Sequence, residues 1–337
     1  MVKNGPWVSG APAEKMPYPF IVYVICGTCI ITRQFSKCGA GCCVIVDLHC
    51  HSFWSADSDS RPDQLVARAI DAEIGILSIS DHNFLSPTTD ALQKQFKGTI
   101  KLIAGCEISC QSPWSQEEEI HILAYFPREQ EGSSAVTDLL ALVRSVLHDR
   151  NRGICLEAGL DVEMVQGIAN VSAQPSGPLS PGMAEAYMFP LYLRQLPPTL
   201  KPGIRAQAGE ALCRLCAAGS LMRLPAPEEV LEVVACSGGY SSLAHPTRYG
   251  AQRPDLAKFV TKLAGTGHLH ALEAMYGPRP QDCREMQALA EDLGLRLSGG
   301  SDSHDGSASS RDMLEQLSAA GSTSSNCTIL TLFEDGP

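Results

Sequence analysis

V44-I-V-D-L-H-C-H-S-F-W-S-A-D57 is the stretch from which the rest of the chain can be read. A short apolar run delivers Asp47, then His49 and His51 two residues apart, then a carboxylate at Asp57. On a strand, residues two apart point to the same side, so both imidazoles can aim at one point. Where regular pairing ends they face a cleft, and the following loop can add an oxygen donor. That arrangement suits a metal ion, although two neighbouring histidines do not establish one.

The strand, helix and strand pattern continues outward from this stretch. Residues 61–73 carry Pro62 near the start and Leu65, Val66, Ala69 and Ile70 on one face, which predicts a helix, with Gly75 as its stop. I-L-S-I-S leads to Asp81, His82 and Asn83; I-K-L-I-A-G leads to Glu107; I-H-I-L-A-Y-F carries His121. After a break, Y-S-S-L-A leads to His245 and Arg248, L-H-A-L-E-A-M-Y contains Glu273, and L-R-L-S-G-G leads to Asp302 and His304. Strands alternating with helices predict a mostly parallel sheet covered on both faces. The chain has nine histidines, and six of them follow or begin these apolar runs. In a barrel of parallel strands such positions converge on one end. His49, His51, Asp57, His82, Glu107, His121, His245, Asp302 and His304 would then form a nitrogen and oxygen donor set for two or three ions.

The 337 residues, 44% hydrophobic and 19% charged, describe an ordinary globular chain long enough for one large α/β domain with an insertion. A formal charge of -11 and the absence of any Lys/Arg-rich run exclude an extended nucleic-acid face. The apolar stretch Phe20–Thr32 is too short to span a bilayer and lacks a cleavage pattern. The expected setting is therefore cytoplasmic, without a membrane partner. Residues 1–43 read as an extension, packed or poorly ordered, with an organelle-targeting role as an alternative. Within it Cys26, Cys29, Cys38, Cys42 and Cys43 leave a zinc or redox reading open. Fourteen cysteines scattered through helical patterns, such as Cys155, Cys213, Cys216, Cys236 and Cys283, read as reduced, packed thiols.

Residues 127–226 break the alternation. Val136–Ala158 reads as a long helix, Ser172–Gly182 as a loop and Arg205–Ala218 as a second helix, together a helical insertion between 44–126 and 227–320. Arg311–Ala319 reads as a last helix, and residues 321–337 as a mobile tail apart from I-L-T-L-F.

Seven pieces, D-L-H-C-H, S-A-D, S-D-H-N, G-C-E-I-S, H-I-L-A-Y-F, A-H-P-T-R-Y and S-D-S-H, in this order, resemble the motifs of the polymerase and histidinol phosphatase (PHP) family. The resemblance implies a distorted seven-stranded TIM-like β/α barrel that hydrolyses phosphate esters with divalent ions, Mn first, Zn or Fe as alternatives. It implies one ion held by His49, His51, Glu107 and Asp302, a second by Glu107, His121 and His245, and a third by Asp57, His82 and His304. The step from His51 to Asp57 is one residue longer than the common pattern, so Asp59 is a rival for Asp57. Asn83 stands where the family often has Asp. The insertion and Arg248 make the chain similar to the 3′,5′-nucleoside bisphosphate phosphatases, some of which trim RNA from the 5′ end. The later part of the insertion departs from that subgroup.

The implied reaction is attack of a metal-bridging hydroxide on phosphorus, with Arg248 neutralising phosphate oxygens and Asp302 or a nearby histidine assisting proton transfer. The substrate would be a small phosphorylated molecule, a nucleoside bisphosphate or a short 5′-phosphorylated RNA end. Another metabolite such as histidinol phosphate is the alternative, and an inactive binding module a third reading. Asp47 is expected to orient a histidine, and Glu273 to be structural or supporting. Ser52 and Ser109 are not required as nucleophiles, and His148, His268 and His270 match no motif.

Overall fold

The computed structural model describes residues 21–26, 29–34, 44–126, 133–172, 182–249, 255–276, 280–305 and 309–334. The chain divides into two units, Met1–Cys42 and Cys43–Pro337. In the first, β1 (Ile21–Cys26) and β2 (Cys29–Gln34) pair antiparallel, with Cys26 and Cys29 as Cα partners. The side chains of this pair and residues 35–43 lie outside the described residues, and so do the zinc and redox readings.

The second unit is built on one seven-stranded sheet in sequential order: β3 (Ile45–Cys50), β4 (Ile74–Ile79), β5 (Lys101–Gln111), β6 (Glu119–Phe126), β7 (Tyr240–Leu243), β8 (Ala271–Met275) and β9 (Arg296–Gly299). All pairings are parallel except those of β6, which runs antiparallel to both β5 and β7. The reason is loop length: residues 112–118 are too few for a parallel crossover, which needs about a dozen. The consequence matters for function. His121 sits near the start of β6 and pairs with Ser109 late in β5, so reversal brings it to the end where its neighbours finish.

The sheet is curled but not closed by a ladder. Among the described residues no pairing joins β9 to β3. Past the end of β9, Asp302 N donates to His49 O at 2.6 Å and His51 N to Ser303 O at 2.9 Å, beside an isolated bridge between Cys50 and Ser303. Gly300 makes this seam possible, because a Cβ there would collide with the backbone of His49. The structure thus bears out an α/β fold with seven strands, curled into a half-barrel.

Helices cover the sheet. α1 (Pro62–Asp71) starts with Pro at a position whose N–H needs no partner and buries Leu65, Val66 and Ala69. Its stop is Glu73, in the left-handed region at φ 59°, rather than Gly75, which opens into β4 and packs tightly on Val44. α2 (Thr89–Gln95) precedes β5. The described residues of 127–226 hold five helices where sequence reading expected two: α3 (Ser134–Glu157), α4 (Val162–Ser172), α5 (Met183–Ala186), α6 (Met188–Gln195) and α7 (Lys201–Ala217). Pro190 hid α6, yet it lies in the first turn, where it removes no helical hydrogen bond. Of the expected loop, residues 173–181 lie outside the described residues. This region has its own small core, in which Cys155, Val165, Met188, Leu191 and Tyr192 pack with Ala56 from the loop after β3.

α8 (Pro227–Cys236), α9 (Leu256–Ala264), α10 (Pro280–Asp292), α11 (Ser310–Ala320) and α12 (Leu330–Glu334) complete the unit. The tail expected to be mobile is packed through residue 334. Ser322 is fully buried, Val46 N donates to Ser322 O at 3.1 Å, and Cys327, Ile329, Leu330 and Phe333 join the main core. The described cysteines are all free; Cys155 and Cys283 are buried as packed thiols should be, but Cys213 and Cys236 are exposed at helix surfaces. No helix among the described residues is long and apolar enough to cross a membrane.

Candidate metal centre

Glu107 lies at the middle of the site. β5 runs on past the end of β4, so Glu107 projects between His49 and His51 from β3, His82 after β4, His121 on β6 and His245 after β7. Its side chain is fully buried. Oε2 lies 3.3 Å from His49 Nε2, 3.3 Å from His51 Nε2 and 3.0 Å from His82 Nδ1. Oε1 lies 2.9 Å from His121 Nδ1 and 2.8 Å from His245 Nε2. One carboxylate therefore faces two groups of histidines with its two oxygens.

Neighbouring hydrogen bonds set the tautomers. His49 donates from Nδ1 to Glu273 Oε1 at 2.9 Å, so its Nε2 carries a lone pair. Ser55 spends its one proton on Asp81 Oδ1 at 3.0 Å, so the 3.0 Å contact from His51 Nδ1 to Ser55 Oγ must be donated by His51. His51 Nε2 is then also a lone pair. Both point at Asp302 Oδ1, 3.3 and 3.1 Å away, and at Glu107 Oε2. With both rings neutral, as metal ligation requires, four acceptor atoms converge here, and His49 Nε2 and Glu107 Oε2 are buried without a partner. A divalent cation fits this gap: donors about 2.1 Å from one ion sit roughly 3.0–3.4 Å from each other.

A second grouping opens toward solvent. Asp57 Oδ2 lies 3.3 Å from His82 Nε2 and 3.2 Å from His304 Nε2. His304 donates from Nδ1 to the Asp302 carbonyl at 2.8 Å, which again leaves Nε2 free to ligate. Asp57 thus reaches both rings. His82, Glu107 and His121 form a third set with donor atoms within 4.8 Å of one another. All nine candidate residues therefore gather at one end of the sheet.

Electrostatics follow the geometry. Burial opposes the charge of Glu107, yet His121, His49 and His82 hold its carboxyl well below the usual range. Asp302 is likewise held down against burial by His49 and His51. Burial also opposes charge on His121, but Glu107 and Glu119 hold it up at about 9. His245 goes the other way: burial lowers it despite Glu107.

Supporting groups were only partly legible. Glu273 spans the site, taking His49 Nδ1 on one oxygen and His245 N on the other, at 2.6 Å. Asp47 binds no histidine ring; it accepts from the backbone of His49 and from Ser301 N and Oγ, and burial raises it to about 6. Asp81 anchors Ser52 and Ser55, a role the sequence reading did not assign. Its position directly before His82 was the available signal, since successive strand residues face opposite sides. The insertion residues were not foreseen. Arg144 donates to Asn83 O at 2.7 Å, Tyr187 OH accepts from Asn83 Nδ2 at 2.6 Å, and Arg194 donates to Ala56 O at 2.6 Å. Ser52 and Ser109 bond to Asp81 and Asn83 respectively. His148 is a surface partner of Asp149, and His270 accepts from Ser241 N on β7. Asn83, His245 and Asp302 all have positive φ (51°, 29° and 50°), so backbone strain concentrates where the side chains must turn inward.

The PHP domain profile matches residues 47–180. This stretch of the chain is therefore similar to a PHP domain. Six of the nine candidate ligands fall inside the matched span; His245, Asp302 and His304 come from the part beyond it. The 5′-3′ exoribonuclease Rnm of Salmonella typhimurium is 27% identical over 275 residues, covering 77% of this chain and 85% of Rnm. Rnm of Escherichia coli is 27% identical over 276 residues with the same coverage. Among solved structures, an amidohydrolase from Chromobacterium violaceum superposes with a TM-score of 0.59 at 19% identity, covering 86% of this chain and 95% of that one. A candidate metal-dependent phosphoesterase from Bifidobacterium adolescentis gives 0.52 at 20% identity, covering 80% and 96%. The PHP domain places the protein among metal-dependent phosphoesterases, hydrolases that act on phosphate esters.

Proposed function

We propose that this PHP protein hydrolyses nucleoside 3′,5′-bisphosphates or the 5′-phosphorylated end of short RNA. The half-barrel serves as a distorted TIM-like barrel, and helices α3–α7 act as the insertion over its catalytic end. The observation that carries the reading is the meeting of His49 Nε2, His51 Nε2, Glu107 Oε2 and Asp302 Oδ1, each nitrogen 3.1–3.3 Å from both carboxylate oxygens. His49, His51, Glu107 and Asp302 would hold one ion, Glu107, His121 and His245 a second, and Asp57, His82 and His304 a third. When bound, such ions supply a water ionised near neutral pH and neutralise phosphate charge.

The chain's own residues do the rest. Glu107 bridges the two inner groups with its two oxygens. Glu273 and Ser55 fix the tautomers that keep the His49 and His51 lone pairs turned inward. Asp302 has one oxygen among the ligands; the other is held by Arg248 Nη2 at 2.8 Å and Tyr276 OH at 3.3 Å. Arg248 thus stays beside the centre, half exposed and within 5.3 Å of the Tyr276 ring, with donors left for phosphate oxygens. Asp302, held ionised, keeps Arg248 beside the centre.

The substrate reading draws on the relatives named as 5′-3′ exoribonucleases and on the acidic chain, which suits a short end over a long polyanion. Metal analysis of the purified protein, with a phosphate-release screen in Mn²⁺, tests it. Bound divalent metal and turnover of adenosine 3′,5′-bisphosphate or a 5′-phosphorylated oligonucleotide are expected. A protein without metal and without turnover on any phosphate ester would reject it.

A further inference from the structure

The candidate centre is closed on one side and open on the other. Glu107 and His49 have fully buried side chains, whereas those of Asp57 and His304 are 46% and 26% exposed. A substrate therefore arrives from the side of Asp57, His82 and His304. Two loops frame that side. The loop after β3 carries Phe53 and Trp54 between His51 and Asp57, and the loop after β4 carries Phe84 two residues past His82.

These three aromatic side chains meet. The Phe53 and Trp54 ring centroids are 4.8 Å apart, and those of Trp54 and Phe84 5.1 Å. All three residues are half-buried, and none belongs to the apolar cores formed by the described residues. Trp54 Nε1 is buried without a hydrogen-bond partner. The loop is held firmly: Phe53 N donates to Ser60 O at 2.7 Å, and Arg194 of α6 clamps Ala56 O. The aromatic pair also occupies the step that is one residue longer than the family's common spacing.

Charge decides what such a surface can recognise. The chain has a formal charge of -11, and the open side presents the half-exposed carboxylate of Asp57. Base stacking needs no positive charge and tolerates any sequence.

We propose that Trp54 and Phe84 form a stacking platform for the nucleobase of the nucleotide whose phosphate reaches the centre. This rests on the nucleotide reading above and narrows it to substrates whose first base is unpaired, purines ahead of pyrimidines because of their larger face.

Two measurements on the full chain test the platform. Adenosine 3′,5′-bisphosphate should quench tryptophan emission and ribose 5-phosphate, which has no base, should not. The quench should vanish in Trp54→Phe, since Trp7 and Trp114 lie elsewhere in the sequence, and persist in Phe84→Tyr. In turnover, Trp54→Ala and Phe84→Leu should raise KM for the bisphosphate roughly 5- to 100-fold, the size of one base–aromatic stack, with the change falling on KM rather than kcat. Trp54→Phe and Phe84→Tyr, which keep an aromatic face, should restore most of it and control for folding. An unmoved bisphosphate KM, or equal shifts for the bisphosphate and ribose 5-phosphate, overturns the platform alone. A Trp54-dependent quench in a protein that hydrolyses no phosphate ester keeps the platform and removes the nucleotide hydrolase reading. Neither quench nor turnover removes both.

Discussion

Glu273 Oε1 accepts the Nδ1 proton of His49 at 2.9 Å, and both side chains are fully buried. The other Glu273 oxygen takes the backbone N–H of His245. One carboxylate on β8 thus positions candidate ligands that lie 28 and 224 residues away in sequence. Replacing it by Gln leaves the shape and removes the charge, and the amide can present a donor where an acceptor is needed. Glu273→Gln should weaken Mn²⁺ binding about 10- to 100-fold, the usual cost of losing the carboxylate behind a ligand histidine. Titration calorimetry reads this, and an unchanged dissociation constant would show that Glu273 is only structural.

Glu107→Gln strikes both inner groups together, because each oxygen serves a different set of histidines. Bound metal should fall by more than one ion per chain, and phosphate release by on the order of 10³-fold or more, since several kcal/mol of transition-state charge stabilisation depend on the ions. Elemental analysis that finds the full metal content in this variant would contradict the bridging role.

Asn83 combines a left-handed backbone, φ 51°, with side-chain bonds to Ser109 and Tyr187. Both Asn83→Ala and Asn83→Gly lose the bonds, but only Ala adds the steric cost of that conformation. The Gly variant should therefore be the more stable of the two by about 1 kcal/mol. Denaturant melts of the two proteins decide the point, and a less stable Gly variant would reject the strain argument.

Phe333 sits in the main core against Tyr125 and Tyr240, with ring centroids 5.9 and 5.8 Å away. Phe333→Ala should cost about 3 kcal/mol. Removing residues 321–337 should leave no cooperative thermal transition, because it deletes several such side chains from a fold whose total stability is about 5–15 kcal/mol. A truncated chain that melts normally would mean that the tail only decorates the surface.

The parts of the fold that were legible rest on local pattern. The apolar runs of β3, β4 and β5, the Pro-led α1 and the buried face of α3 follow from spacing within one turn or one strand. Helices α4 and α6 escaped because they are short and one contains Pro190, and their stability comes from packing in the insertion's own core. The tail was misread for a similar reason. Its polar serines give no local signal, and Ser322 is buried only because β3 lies beside it, its hydroxyl donating to Val46 O at 2.7 Å.

By itself the sequence determined the donor set: histidines and carboxylates placed at strand ends, where period-two geometry turns them to one side. Only the tertiary structure decided how those donors meet. The reversal of β6 that brings His121 to Glu107, the Gly300 seam that sets Asp302 beside His49, the Glu273 link to two ligands and the meeting of Trp54 with Phe84 are contacts between segments far apart in the chain. No local rule records them, because they exist only after the sheet has curled.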